Sequence, residues 1–221
     1  MTERAHLIAA FLDAHGWGTA ERRLLAADAS FRRYERLRRG AATAVLMDAP
    51  PPRENVAAFH RVARQLLDLG LSAPRPIAVD EAAGLMLLED LGDRTFTRAL
   101  AAGADEAHLY RLAVDLLIAL HRDWHTAQAA GLPPYDDARL LEEALLLPDW
   151  ALPAVRGVAT AAAARDSYIE AWRAVLPRAR SVADALVLRD FHVDNLMLLD
   201  DRGEIAGCGL LDFQDAVVGP R

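Results

Sequence analysis

A chain of 221 residues can bury one good core or two small lobes, and 53% apolar content beside 26% charged residues excludes a disordered polymer. The formal net charge of -7 argues against a nucleic-acid partner, because phosphate backbones need clustered cations. A lone Cys208 excludes an internal disulfide and a cysteine zinc site, and no apolar run is long enough for a membrane span, so a cytoplasmic protein is expected.

Residues 1–17 read as an amphipathic helix, with Ile8, Phe11 and Leu12 at helical spacing and Gly16 and Gly18 ending it. The period then shortens. Residues 23–26, 32–37 and 44–47 predict three strands in an antiparallel meander, closed by Pro50-Pro51-Pro52. A helix over 54–69 follows, with Val56, Phe59, Ala63 and Leu66 on one face, and then two strands over 77–79 and 85–88. Beyond Gly92 the pattern is helical over 96–101, 105–126, 136–147 and 159–175, with prolines 133, 134, 148, 153 and 177 marking limits. Strands return at 185–188, 196–199 and 209–211. The order predicts an α+β chain with a small antiparallel-sheet lobe, residues 1–91, and a mostly helical lobe, residues 92–221.

The chemistry concentrates near the end. In Leu188-Arg189-Asp190-Phe191-His192-Val193-Asp194-Asn195 an aspartate precedes an asparagine by five residues, and Asp212 follows the apolar pair Leu210-Leu211. An aspartate that accepts a hydroxyl proton, an asparagine oxygen and a second aspartate behind the next hairpin are the groups that kinase phosphoryl transfer sets around a nucleotide's magnesium. Asp190 is thus the candidate base, and Asn195 and Asp212 the candidate Mg2+ ligands of a kinase that uses ATP. Singly, each would read as an ordinary turn residue; the three together, in that order, favour a site. His121-Arg122-Asp123 spells the kinase catalytic tripeptide but lies inside an expected helix, where it cannot present an extended loop. His192 is read as orienting the loop or meeting substrate.

Residues 28–34 join the first two strands, where a kinase covers the phosphates. All 25 positions counted as Lys plus Arg are arginine, so no lysine ammonium can hold a phosphate; Leu46, Met47 and Asp48 occupy the region where a third-strand lysine is expected. Arg32 and Arg33 point to opposite faces of their strand, and either can supply the cation.

The stretches 28–34, Val45-Leu46-Met47-Asp48-Ala49-Pro50, Leu87-Leu88-Glu89-Asp90-Leu91-Gly92, 189–197 and Leu211-Asp212-Phe213-Gln214-Asp215-Ala216 with Gly219-Pro220 together resemble the aminoglycoside phosphotransferase-like small-molecule kinases. Within them the chain looks most like the bacterial cell-wall amino-sugar kinases, which phosphorylate N-acetylmuramate and N-acetylglucosamine at the anomeric hydroxyl. The resemblance implies a bilobal protein-kinase-like fold, Asp190 as base, Asn195 and Asp212 on Mg2+, and Ser30, Phe31, Arg32 and Arg33 over the phosphates of ATP. It also implies an adenine hinge at Leu88, Glu89, Asp90 and Leu91, and a phosphate-orienting role for Glu54. Leu188 stands where the family usually has histidine. Relatives continue beyond the point matching Arg221 with helices that complete the acceptor pocket. An incomplete C-lobe is therefore expected, with apolar surface bare around Val217, Val218 and the long helix, and with self-association through it. Two other readings stay open: a kinase for an aminoglycoside or choline-like acceptor, and a nucleotide-binding pseudokinase.

Overall fold

The computed structural model describes residues 3–27 and 31–221. They pack as two compact units, Met1–Leu120 with Arg189–Asp215, and His121–Leu188 with Ala216–Arg221.

The first unit is built on a five-stranded sheet in the order β1-β2-β3-β5-β4, all neighbours antiparallel. Its strands are β1 (Glu21–Ala27), β2 (Arg33–Arg39), β3 (Ala42–Asp48), β4 (Pro76–Asp80) and β5 (Leu85–Leu88). Every strand expected from the sequence is present with ends within two residues, because the turns that separate them carry the backbone signals. The period of two sorts the side chains onto two faces. Leu37, Ala44, Leu46, Leu85 and Leu87 meet Ile8, Phe11 and Leu12 of α1 (Glu3–Ala14) and Trp17 in one apolar cluster. Arg4 of α1 also pairs with Asp48, its Nε donating to Oδ1 at 2.9 Å, which ties the helix to the end of β3. The opposite face carries Tyr34, Val45, Met47 and Leu88. Gly84 makes one close approach possible: its φ is +65°, and a Cβ there would sit 2.2 Å from the Ala49 carbonyl.

α2 (Val56–Asp68) buries Val56, Phe59, Val62, Ala63 and Leu66 and is capped by Asn55, whose side chain accepts the Ala57 N–H at 2.9 Å. After the hinge-like residues 89–92 come α3 (Phe96–Ala101) and α4 (Glu106–Asp123), the latter 18 residues long. The same unit holds the hairpin β7 (Leu196–Leu198) and β8 (Cys208–Leu210). Cys208 is fully buried there, and burial alone pushes its thiol up to about 12, so it offers no nucleophile at neutral pH.

The second unit contains α5 (Asp137–Leu146), α6 (Leu152–Arg156), α7 (Ala162–Ala179), β6 (Asp184–Val187) and β9 (Val217–Pro220). Three features depart from the sequence reading. A π-helical segment, Leu147–Ala151, leads straight into α6 where prolines 148 and 153 were read as limits; each proline stands in the first turn of its segment, where no N–H is required. Pro177 lies inside α7, near its C-terminal end. Residues 217–220 form a strand, β9, that pairs antiparallel with β6 from Asp184↔Pro220 to Val187↔Val217. Val217, expected bare, is therefore fully buried, whereas α4 does expose Tyr110, Val114 and Ile118 along one stripe.

Candidate active site

A cavity of about 420 Å³ lies within the first unit. Its walls include Tyr34 and Val45 from the sheet, Leu88 to Gly92, and Asn195, Met197, Leu211 and Asp212 around the β7–β8 hairpin.

The hinge comes first. Leu88 ends β5, where four consecutive apolar side chains are all buried, and the chain then turns polar along the cavity wall. The two carboxylates that follow are held by arginines. Glu89 Oε1 accepts from Arg202 Nη2 at 2.7 Å, and Arg202 Nη1 donates to the buried Ser72 hydroxyl at 2.9 Å. Asp90 Oδ1 accepts from Arg36 Nη2 at 2.9 Å, and Arg36 Nη1 reaches Asp93 Oδ2 at 2.7 Å. The hydrogen bond from Arg36 holds the Asp93 carboxyl below its ordinary range, and its pairing with Asp93 and Asp90 raises the guanidinium. With both acidic side chains engaged by arginines, Glu89, Asp90 and Leu91 line the cavity together with the apolar residues Leu25, Val45, Phe59, Met197 and Leu211, which suits a flat heteroaromatic ring.

Asn195 and Asp212 are brought together by the hairpin. Leu196 pairs with Leu210 in register, and one step further out Leu211 N–H donates to Asn195 O at 2.9 Å. Both side chains line the cavity. Asn195 Nδ2 donates to the Asp190 carbonyl at 3.0 Å and lies 3.2 Å from His192 Nε2, so its amide nitrogen is spent on the loop and its oxygen is the group left for a cation. Thr97 Oγ1 donates to Asp194 Oδ1 at 2.5 Å, and Thr97 N–H donates to Val193 O at 3.3 Å, which anchors the same loop on α3. Arg189 and Asp212 have φ of +64° and +54°, left-handed positions for non-glycine residues immediately before the candidate base and at the candidate metal ligand. Asp190 is exposed on this loop. Among the described residues no three His, Cys, Asp or Glu side chains form a metal cage. One carboxylate and one amide oxygen facing a cavity fit Mg2+, which takes its remaining ligands from water and phosphate.

The phosphate end is only partly described. Ser30 lies outside the described residues, with Asp28 and Ala29. Phe31 is exposed, its ring under the Arg53 guanidinium at 4.4 Å, and its N–H donates to Glu54 Oε1 at 3.0 Å. Arg33 is exposed at the start of β2. Arg32 is buried instead, with Nε 3.7 Å from Glu54 Oε2 and Nη2 3.5 Å from Asp212 Oδ1. Arg32 also lines a second cavity, of about 120 Å³, with Met47, Glu54, Asn55, Gln214 and Asp215. Three contacts here had no sequence signal. Gln214 Nε2 donates to Asp212 Oδ1 at 2.8 Å and to Asp215 Oδ2 at 3.2 Å, and Phe213 is buried against Phe59 of α2 with ring centroids 4.8 Å apart. The apolar wall residues Tyr34 and Val45 were readable in principle from strand alternation. His121-Arg122-Asp123 forms the last turn of α4, where Arg122 pairs with its neighbour Asp123.

Residues 21–221 match the phosphotransferase enzyme family. The chain belongs to that family. Its sequence is 38% identical over 252 residues to the N-acetylmuramate/N-acetylglucosamine kinase of Caulobacter vibrioides, covering 98% of this chain and 69% of that protein. It is 39% identical over 223 residues to the kinase of the same name from Pseudomonas aeruginosa, covering 94% of this chain and 60% of the relative. Among solved structures, this phosphotransferase-family chain superposes on an aminoglycoside phosphotransferase in a ternary complex with streptomycin and ATP, with a TM-score of 0.60 and 16% identity, over 100% of this chain and 73% of the other. At that identity the likeness speaks for the kinase-like fold. No helix among the described residues is long and apolar enough to cross a membrane.

Proposed function

We propose that this chain is an ATP-dependent kinase of an amino-sugar hydroxyl, with N-acetylmuramate and N-acetylglucosamine as acceptors. The observation that carries the reading is one cavity lined both by the hinge residues 88–92 and by Asn195 and Asp212. A purine between Val45, Leu88, Met197 and Leu211 would direct its phosphates toward Asp212, and Mg2+ bound to Asn195 Oδ1 and Asp212 would neutralise phosphate charge. Asp190, held on the loop whose carbonyl accepts from Asn195, then takes the hydroxyl proton as the acceptor oxygen bonds to the γ-phosphorus and ADP leaves. In this reading residues 1–91 form the nucleotide lobe and residues 92–221 the catalytic lobe, with Phe31 and Arg32 toward the phosphates. The sugar assignment rests on the names of the two relatives, and the anomeric position on the resemblance in the Asp190 and Asp212 stretches.

The test incubates the chain with Mg·ATP and each sugar and follows the products by phosphorus NMR. Expected is an acid-labile sugar phosphate formed in step with ADP. ADP release without sugar phosphate, across both sugars, would remove the acceptor assignment; no Mg·ATP binding by calorimetry would remove the kinase reading itself.

A further inference from the structure

The lysine problem has a geometric answer in the alternation of β2. Leu37 lies in the apolar cluster under α1, so Glu35 and Arg33 share its side of the strand, while Arg36 and Tyr34 share the other and Arg32 stands just ahead of the strand. The contacts agree with that division: Arg36 pins the hinge, Tyr34 lines the large cavity, and Arg32 lines the small one beside it. Arg32 is thus the member of the pair that faces the phosphate end, and Arg33 faces away from it.

On β3, Met47 stands opposite Tyr34 in the register and lines the same small cavity as Arg32 and Glu54. A kinase uses a third-strand lysine there, paired with a glutamate on the following helix, to grip the phosphates. Here the glutamate is Glu54, just ahead of α2, and its partner is Arg32, just ahead of β2, at Nε–Oε2 3.7 Å. The other end of the same guanidinium is 3.5 Å from Asp212 Oδ1, the carboxylate assigned to Mg2+. Gln214 steadies that carboxylate from the side, at 2.8 Å.

We propose that Arg32 supplies the phosphate-gripping cation in place of a lysine and serves as the counter-charge of Asp212 while no nucleotide is bound. This rests on the nucleotide reading of the cavity. With Mg·ATP bound, Asp212 would serve the metal, and Arg32, held by Glu54, would offer its N–H groups to phosphate oxygens. A guanidinium suits the exchange because it keeps its charge throughout and can hold a carboxylate on one edge while it binds phosphate with another.

Calorimetric titrations of Mg·ATP and adenosine into wild type, Arg32→Ala, Arg33→Ala and Arg32→Ala/Met47→Lys test it. The Arg32→Ala variant should bind Mg·ATP weaker by about tenfold or more, with adenosine changed less than about twofold, as expected when a charged phosphate contact alone is lost. Arg33→Ala should match wild type. Met47→Lys, which returns an ammonium to the Glu54 side of the cavity, should recover part of the Mg·ATP affinity in the Arg32→Ala background. Arg32→Lys, with thermal melts on all variants, covers the case in which the alanine variant does not fold. Loss of Mg·ATP affinity in Arg33→Ala instead, or equal loss for adenosine and Mg·ATP in a folded Arg32 variant, overturns the assignment. Wild type that binds neither compound overturns the nucleotide reading along with it.

Discussion

Asp190 and Asp212 are both aspartates in loops of one hairpin region, yet their surroundings differ. Asp212 lines the cavity at a left-handed φ and is gripped by Arg32 and Gln214, whereas Asp190 is exposed and shares with the cavity only its carbonyl contact to Asn195. Asp190→Asn should therefore leave Mg·ATP affinity within about twofold while lowering kcat by about 100-fold or more, the usual scale of a lost proton acceptor. Asp212→Ala should abolish the magnesium dependence of ATP binding, and leave Arg32 beside a triphosphate with less charge compensation. Calorimetry beside steady-state kinetics checks both, and a matched loss of affinity and turnover in Asp190→Asn would make that residue structural. The placing of Asn195 and Asp212 at one cavity was legible because the spacing of Asp190, Asn195 and Asp212 is a local pattern written in sequence order. The choice between Arg32 and Arg33 needed the buried partner Leu37 as a reference for the strand's faces, and Glu54 and Asp212 as partners 22 and 180 residues away.

At the scale of elements, the hinge is held by a brace that runs through the hairpin. Arg202, between β7 and β8, bonds Glu89 and the Ser72 hydroxyl, and that hydroxyl donates to the Ala206 carbonyl at 2.7 Å. The strand end and the hairpin, both walls of the cavity, are thus joined by one part-buried guanidinium. Arg202→Ala should raise the KM for ATP several-fold and leave kcat nearly unchanged, because Asp190 and Asn195 keep their own contacts; the stability cost should be on the order of 1 kcal/mol, since the pair is partly solvated. A kcat loss as large as the KM change would show that the brace also supports the catalytic loop. The elements themselves were largely readable, since strand alternation and glycine turns are short-range signals, as in β5 at Leu85–Leu88. β9 was not, because Val217–Pro220 reads as a loop until β6 is brought alongside to pair with it. Pro177 misled differently: it removes the N–H that would meet the Arg173 carbonyl, yet the helix continues past it to Ala179.

For the molecule as a whole, the division into two units makes a prediction about where a nucleotide is felt. Every residue that lines the large cavity, and every one that lines the small cavity beside it, belongs to the unit of residues 1–120 and 189–215. A ligand that binds the folded form stabilises the structure it touches, by about 2.7 kcal/mol at a hundredfold excess over its Kd. That stabilisation appears first as slower amide exchange in the segments whose opening would break the site. Saturating Mg·ATP should therefore slow exchange in β1 to β5, in 88–92 and in 190–212, and leave α5, α6 and α7 close to their nucleotide-free rates. The loop over 189–195 is the sharpest test, because residues 121–188 of the second unit separate it from the sheet in sequence, yet it belongs to the first unit. Protection of β1 to β5 without the 190–212 segment would mean that the metal ligands are not recruited by the nucleotide, and protection centred on α5 to α7 would put the nucleotide somewhere other than the cavity walled by Leu88 and Asp212.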